Sequence, residues 1–257
     1  MLQVRHKKNL AHNLIFWLSR NEFYRLGGKM GDIMDGSAQH LKLEEFPMNE
    51  DRPWLQRASK RLLDISLAFA GLIILSPVLI AIAALVRLQD KGPAIFSHTR
   101  IGQNGEPFKC YKFRSMVIDA PQRLETLLAT DPEAAAEWAR DQKLRKDPRI
   151  TKLGGFLRRS SLDEFPQLLN ILRGEMSVVG PRPIVMDEVR RYGTKIVAYK
   201  AVRPGVTGLW QVSGRNDVSY DERTEMDARY AREWTVLGDI WIIIKTIPAV
   251  LLSRGAS

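Results

Sequence analysis

From Ile65 to Val86 the chain reads ISLAFAGLIILSPVLIAIAALV, twenty-two residues without a charge. A helix of that length fills the ~30 Å hydrocarbon core of a bilayer, and this is the one membrane-length segment in the sequence. The run lacks a polar face, which makes a helix buried in a soluble core the weaker reading. Pro77 removes a backbone donor and disturbs the turn before it. That predicts an arm ending near Leu75 and a shorter one beginning near Val78, with Ser76-Pro77 as the break and the Ser76 hydroxyl as a partner for freed backbone. Arg57, Lys60 and Arg61 precede the run and Arg87 and Lys91 follow it. Positive flanks favour the cytoplasmic side of a membrane, and both flanks here are basic. A re-entrant helix-break-helix that enters and leaves on one face meets that condition better than a straight span, although proline also kinks true spans.

Charge narrows the partners. The 257 residues carry 39 Lys and Arg against 29 Asp and Glu, a net charge of +10, so the surroundings should be anionic: nucleic acid, acidic lipid or phosphorylated substrates. No RNA- or DNA-binding motif or basic-aromatic platform is present, which ranks nucleic acid last. The single cysteine, Cys110, excludes an internal disulfide and a thiolate metal cluster, fits a reducing cytosol, and reads as a small core residue. His6, His12, His40 and His98 are too scattered for a zinc site.

The organisation expected is a loosely structured leader (1–55), an anchor (56–90) and a catalytic domain (91–257). In the leader, Leu14-Ile15-Phe16-Trp17-Leu18 is too short and poorly flanked for a signal peptide. Beyond Gly92-Pro93, Asn104-Gly105 signals a hairpin between strands near 94–97 and 108–113. Residues 121–143 read as a surface helix pair interrupted at Asp131-Pro132, with Leu124, Leu127, Leu128 and Trp138 as packing positions. Between Lys143 and Arg159 stand seven basic residues and one acid, Asp147, an invitation to an anionic ligand or headgroup.

The next segment carries the chemistry. Phe165, Leu168, Leu169 and Leu172 fall at helical spacing, and Ser161 with Glu164 reads as a capping box, which places Asp163 and Glu164 at a helix N-terminus. There the helix dipole, Arg158 and Arg159 should keep both carboxylates ionised. Neighbouring helical residues diverge, so the two acids should have different jobs rather than share a proton. Downstream, Pro181 and Pro183 restrict the backbone around Arg182, suiting its guanidinium to phosphate recognition. Residues 202–216 read as an ordered loop with short extended pieces that either lines a site or links elements, 221–234 as a charged helix, and 240–252 as an interfacial helix carrying Trp241 toward headgroup level, with a core helix as the alternative.

Six blocks in order, namely Ser76-Pro77, Arg100-Ile101-Gly102 with Gly105, Lys112-Phe113-Arg114-Ser115-Met116, Ser161-Leu162-Asp163-Glu164, Val179-Gly180-Pro181-Arg182-Pro183 and Arg203-Pro204-Gly205-Val206-Thr207-Gly208, carry a resemblance. From about Lys60 to Leu252 the chain resembles the bacterial sugar transferases known as small monotopic phosphoglycosyl transferases, most closely those that initiate exopolysaccharide with galactose phosphate. His98 departs from the glutamine common at that position. The resemblance implies an α+β, mainly helical fold in which a re-entrant anchor precedes a small cytoplasmic catalytic domain with a short β-hairpin and interfacial amphipathic helices, at the bacterial inner membrane. It implies that Asp163 attacks a UDP-sugar, releasing UMP, and that undecaprenyl (polyprenyl) phosphate then takes the phosphosugar. Glu164 with Asp163 would hold magnesium; Arg158 and Arg182 would contact phosphate, joined by Arg100, Lys112 and Arg114. Anionic lipid is an implied partner, and a homo-oligomer is allowed without being required. The competing reading is a membrane-anchored scaffold in which the acid pair is only a helix cap, and it predicts tolerance of Asp163→Asn.

Overall fold

The computed structural model describes residues 52–141, 143–214 and 218–251. The readings made for the leader up to residue 51 lie outside them. Helix α1 runs from Trp54 to Asp90, 37 residues, and ends where Lys91 turns left-handed at φ 57° and returns its amide to the Arg87 carbonyl. The helix continues through Pro77, so the expected division into two separate helices is not present. The reason is local. Pro77 cannot donate to the Ile73 carbonyl one turn back, and the Ser76 hydroxyl donates to that oxygen instead at 2.8 Å.

Only Asp64, Ala68, Ile82 and Val86 of α1 are buried, while Ile73, Ile74, Ile80 and Leu88 are 58–78% exposed. Just 11% of the helix's most apolar window is covered by protein, so the soluble-core alternative fails, and among the described residues this is the one helix long and apolar enough to cross a membrane. The buried positions fall in two groups. Ahead of Pro77, Ala68 packs with Phe108, Cys110, Ile171 and Met176, and beyond it Ile82 and Val86 pack with Phe113 and Leu157. Cys110 is thus a core residue, as its sequence context suggested.

Strands β1 (Ile95–Ile101) and β2 (Pro107–Phe113) form the expected hairpin, antiparallel from Ile101↔Pro107 to Ile95↔Phe113. Asn104 and Gly105 take φ of 58° and 83° at its tip. Helices α2 (Ala120–Thr130) and α3 (Pro132–Asp141) meet at the predicted interruption, where an Asp131 carboxylate oxygen accepts the amides of Glu133 and Ala134. The chain then forms α4 (Lys152–Arg159), α5 (Gln167–Arg173), β3 (Ser177–Val179), α6 (Met186–Tyr192), α7 (Ile196–Ala201), β4 (Gly205–Thr207) and α8 (Leu209–Val212).

β3 and β4 pair in parallel, Ser177 with Gly205 and Val179 with Thr207. This ladder brings the two glycine-containing loops into backbone contact. A Cβ on Gly205 would lie 2.1 Å from the Gly180 nitrogen, and one on Gly208 would lie 2.3 Å from the Gly180 oxygen. Three-residue strands are too short for periodicity to announce them, and the glycines are the trace they leave in the sequence. Helix α9 (Tyr220–Glu233) starts with a Ser219–Glu222 capping box and leads to α10 (Val236–Leu251). Asp239 and Ile242 of α10 face inward, and Leu237, Ile240, Trp241, Ile244 and Ile247 form an exposed apolar stripe. That is the face an interfacial helix needs.

Candidate active site

The acid pair does not sit where a capping box would put it. After α4, Ser161 adopts the left-handed conformation at φ 56°, its side chain caps nothing, and Leu162–Glu164 make one 3-10 turn before Pro166 leads into α5. The α-helix therefore begins five residues later than the capping-box reading requires, at Gln167 rather than Leu162, and the Glu164 carboxylate goes to Lys112 rather than to a backbone amide. The expected packing face is borne out at Leu168 and Leu172, which pack against the cluster of Ala68, Phe108, Cys110, Ile171 and Met176, and is corrected at Leu169. Gln167, Asn170 and Ile171 are the buried positions of α5, whereas Leu169 is 43% exposed. Asn170 explains the rotation: its amide nitrogen donates to the Lys109 carbonyl at 2.7 Å and to Glu175, and its oxygen accepts the Tyr111 amide at 3.0 Å. A fully satisfied buried amide pins α5 to β2, and no hydrophobic pattern reports it.

The result is a compact charge cluster. Lys112, near the end of β2, places its ammonium 2.6 Å from a Glu164 oxygen and 3.8 Å from an Asp163 oxygen. The Asp163 side chain is 9% exposed and that of Glu164 28%. Burial pushes the Asp163 carboxyl above its ordinary range, with Lys112 and Arg158 pulling the other way. This corrects the expectation that a helix dipole keeps it low. Burial also works upward on Glu164, but Lys112, Arg182 and Arg100 outweigh it and hold that carboxyl below its usual value. The two acids are thus differentiated, one nearer to protonation and one firmly ionised.

The basic residues divide. Arg158 donates Nε to the Ser115 hydroxyl at 2.8 Å and bears electrostatically on Asp163. Arg182 is exposed between the buried Pro181 and Pro183 and bears on Glu164, and among the described residues it makes no hydrogen bond or ion pair. Arg100 donates to the Pro183 carbonyl at 3.2 Å and lies 3.7 Å from Glu188. Arg114 does not join them: it is buried, forms a two-pronged pair with Asp90 at the end of α1, and gives its Nε to the Pro93 carbonyl. Sequence reasoning missed Glu188, which lies beside Arg100, and named Ser115 in a motif without its role of holding Arg158, because polar residues that position other side chains carry no spacing signal. It also missed the buried Tyr192–Asp227 hydrogen bond of 2.7 Å, beside Arg223, where burial lifts Asp227 to about 7.

Among the described residues no group of three or more His, Cys, Asp or Glu is placed to hold a metal. Two carboxylates with hard oxygen donors fit an ion that takes its remaining ligands from phosphate oxygens and water, which is how magnesium is commonly bound.

Fold and site together define a membrane-seated domain that gathers cations around a buried carboxylate. The chain belongs to the bacterial sugar transferase family, whose sequence model matches residues 55–253. It is 50% identical over 198 residues to the exopolysaccharide production protein ExoY of Rhizobium meliloti, covering 77% of this chain and 88% of that one. It is 52% identical over 200 residues to the undecaprenyl-phosphate galactose phosphotransferase of Salmonella typhimurium, covering 78% of this chain and 42% of the relative. Similarity to the UDP-glucose:undecaprenyl-phosphate glucose-1-phosphate transferase of Escherichia coli is 41% over 241 residues, 88% of this chain and 48% of that protein. The chain thus spans less than half the length of the latter two.

Proposed function

We propose that this protein transfers a hexose 1-phosphate from a UDP-sugar to undecaprenyl phosphate, the first membrane step of exopolysaccharide synthesis. The observation that carries the reading is Asp163, a buried carboxylate with Lys112 3.8 Å away and Arg158 beside it, next to a Glu164 that answers to Arg182 and Arg100. Burial strips water from the attacking oxygen, and the cations keep enough of the carboxylate ionised to act. An Asp163 oxygen attacks the sugar-bearing phosphorus, the bond to the UMP oxygen breaks, and UMP leaves. An oxygen of the acceptor phosphate then attacks the same phosphorus, freeing Asp163 and forming the polyprenyl diphosphosugar. Arg182 and Arg100 suit the diphosphate, since a guanidinium matches phosphate oxygens in pairs. Glu164 and the second oxygen of Asp163 would hold magnesium, which when bound supplies further positive charge to the diphosphate.

A re-entrant anchor on the cytoplasmic face of the inner membrane, which requires α1 to bend at Pro77 while remaining one helix, accords with the packing of α1. Lys60 and Asp64 on one arm and Val86 and Asp90 on the other all contact the same domain. A straight span would place one arm on the far side of a ~30 Å apolar layer. Such a seat keeps the site at the boundary where a soluble nucleotide sugar meets a lipid-borne phosphate, and the apolar stripe of α10 would rest at the same level. Names among the relatives include both galactose and glucose enzymes, and galactose is our first choice for the donor.

The test is UMP release from UDP-galactose, UDP-glucose and their N-acetyl forms by full-length protein in bilayer nanodiscs with magnesium and undecaprenyl phosphate. Release that requires the lipid, prefers one sugar and vanishes in Asp163→Asn is expected. No release with any donor from folded, inserted protein would favour a non-catalytic scaffold.

A further inference from the structure

The run Lys112 to Met116 connects the long helix to the acid pair residue by residue. Lys112 reaches both carboxylates. Phe113 is buried with Ile82 and Val86 of α1 and with Leu157 of α4. Arg114 holds Asp90, the last residue of α1, through both terminal nitrogens. Ser115 accepts the Nε of Arg158. Of the two cations that bear on Asp163, Lys112 thus lies two residues before Arg114, and Arg158 is held by the residue after it.

Every nitrogen of the Arg114 guanidinium is engaged. Beyond Asp90, Nε donates to the Pro93 carbonyl at 2.8 Å, Nη1 to the Met116 carbonyl at 3.4 Å and Nη2 to the Val86 carbonyl at 3.3 Å. A guanidinium with its donors spent in this way has no edge to offer a phosphate. Arg114 is also the first residue past the hairpin ladder, whose last pair is Ile95 with Phe113. Beyond that point the chain is held by the bonds to Asp90 and by a few backbone contacts, such as the Thr151 amide on the Ser115 carbonyl at 3.1 Å. Helix α4 lies flush against this stretch: a Cβ on Gly154 would fall 1.9 Å from the Ser115 oxygen. A displacement at Arg114 is consequently passed to Ser115, and through it to Arg158.

We propose that Asp90 is a positioning residue for phosphoryl transfer, acting through Arg114 to set where Lys112 and Arg158 stand relative to Asp163. It rests on the reading of Asp163 as the nucleophile. Asp90 touches no substrate. Its place is the point where the chain leaves the apolar helix, so the seat of the anchor and the placement of the catalytic cations are mechanically one unit. Misplacing a catalytic group by about 1 Å is enough to lower a rate on the order of 100-fold.

The experiment compares full-length wild type, Asp163→Asn, Asp90→Asn and Asp90→Glu in bilayer nanodiscs. It measures lipid-dependent UMP release, donor KM, and thermal melting to show that each variant is folded. Asp90→Asn loses the charge and half the grip on Arg114, so kcat should fall on the order of 10-fold to 100-fold. Asp90→Glu keeps the charge but moves it by one methylene, and its loss should be smaller, about 3-fold to 10-fold. Donor KM should stay within about 2-fold in both, because the clamp lies outside the binding contacts. If Asp90→Asn does not fold, Asp90→Glu decides alone. A folded variant with wild-type kcat, or one whose loss lies in donor KM, overturns the proposal, and the second result would return Arg114 to phosphate binding. Asp163→Asn that is inactive beside Asp90 variants at wild-type rate defeats the clamp only. Asp163→Asn that retains activity defeats the nucleophile reading, and the clamp with it.

Discussion

Lys112→Met isolates the electrostatic core of the site. The ammonium lies 3.8 Å from an Asp163 oxygen, and its side chain is 28% exposed. A unit charge pair at about 4 Å is worth about 4 kcal/mol at the effective dielectric of a protein site and about 1 kcal/mol in water. With Asp163 buried and Lys112 partly wet, about 2 kcal/mol is a fair intermediate, which corresponds to about 1.5 pH units. The sign follows from the opposing influences on Asp163: burial raises its pKa, and Lys112 is the largest influence lowering it. Removing the cation lets burial dominate, the pKa rises, and less of the nucleophile is ionised at any pH below it. The acidic limb of the UMP-release profile should move to higher pH by about 1 to 2 units, with a loss on the order of tenfold on that limb that narrows as the pH rises above it. Lys112→Arg, which keeps the charge, should move the limb by less than half as much. A Met variant whose limb stays in place, and whose loss is the same at every pH, would refute the reasoning and assign Lys112 to phosphate contact alone.

Asn170→Leu removes three hydrogen bonds from a fully buried position and strands the Lys109 carbonyl and Tyr111 amide, so stability should fall by about 3 kcal/mol or more, read from denaturant midpoints. Gly205→Ala drives a methyl group to 2.1 Å from the Gly180 nitrogen and should cost about 3 kcal/mol, with a lower melting temperature as the check. Asp227, lifted to about 7 by burial, keeps a proton in the folded state that the unfolded chain gives up near pH 4. Wild-type stability relative to Asp227→Asn should therefore decline by about 1.4 kcal/mol per unit from about pH 4 to about pH 7 and level off above it, as melting across that range will show.

The membrane helix, the hairpin and the paired surface helices were legible because each rests on a local rule: twenty-two uncharged residues, an Asn-Gly turn, an Asp-Pro break. The β3–β4 ladder was not, since three-residue parallel strands separated by 25 residues leave no periodic trace. Only the glycines at 180, 205 and 208 record the close backbone approach. On α5, Leu168 and Leu172 pack as their spacing predicts, and Leu169 was misjudged for a related reason. Hydrophobic spacing favoured Leu169, while the buried side of the helix is organised around Asn170, whose three partners come from β2 and from Glu175. Polar residues that bury themselves through tertiary hydrogen bonds reverse a pattern that assumes apolar residues go inside.

At the site, residue type told more than position did. Asp163 and Glu164 come together with Lys112, Arg158, Arg182 and Arg100, and the basic excess ahead of the acid pair does contribute Arg158. Arg149 from the same excess is instead buried against Asp147 at 2.7 Å. Arg114 marks the limit of reading function from charge. In sequence it is one more arginine two positions from Lys112, but β2 ends at Phe113, and Arg114 turns away toward the carboxylate at the end of the long helix. Strand alternation cannot decide the matter once the ladder has stopped, and only the partner 24 residues back shows whether this guanidinium meets a substrate or the anchor. If the clamp holds, a basic residue two positions from Lys112 serves catalysis without touching what is transferred, and its loss will appear in kcat rather than in donor affinity.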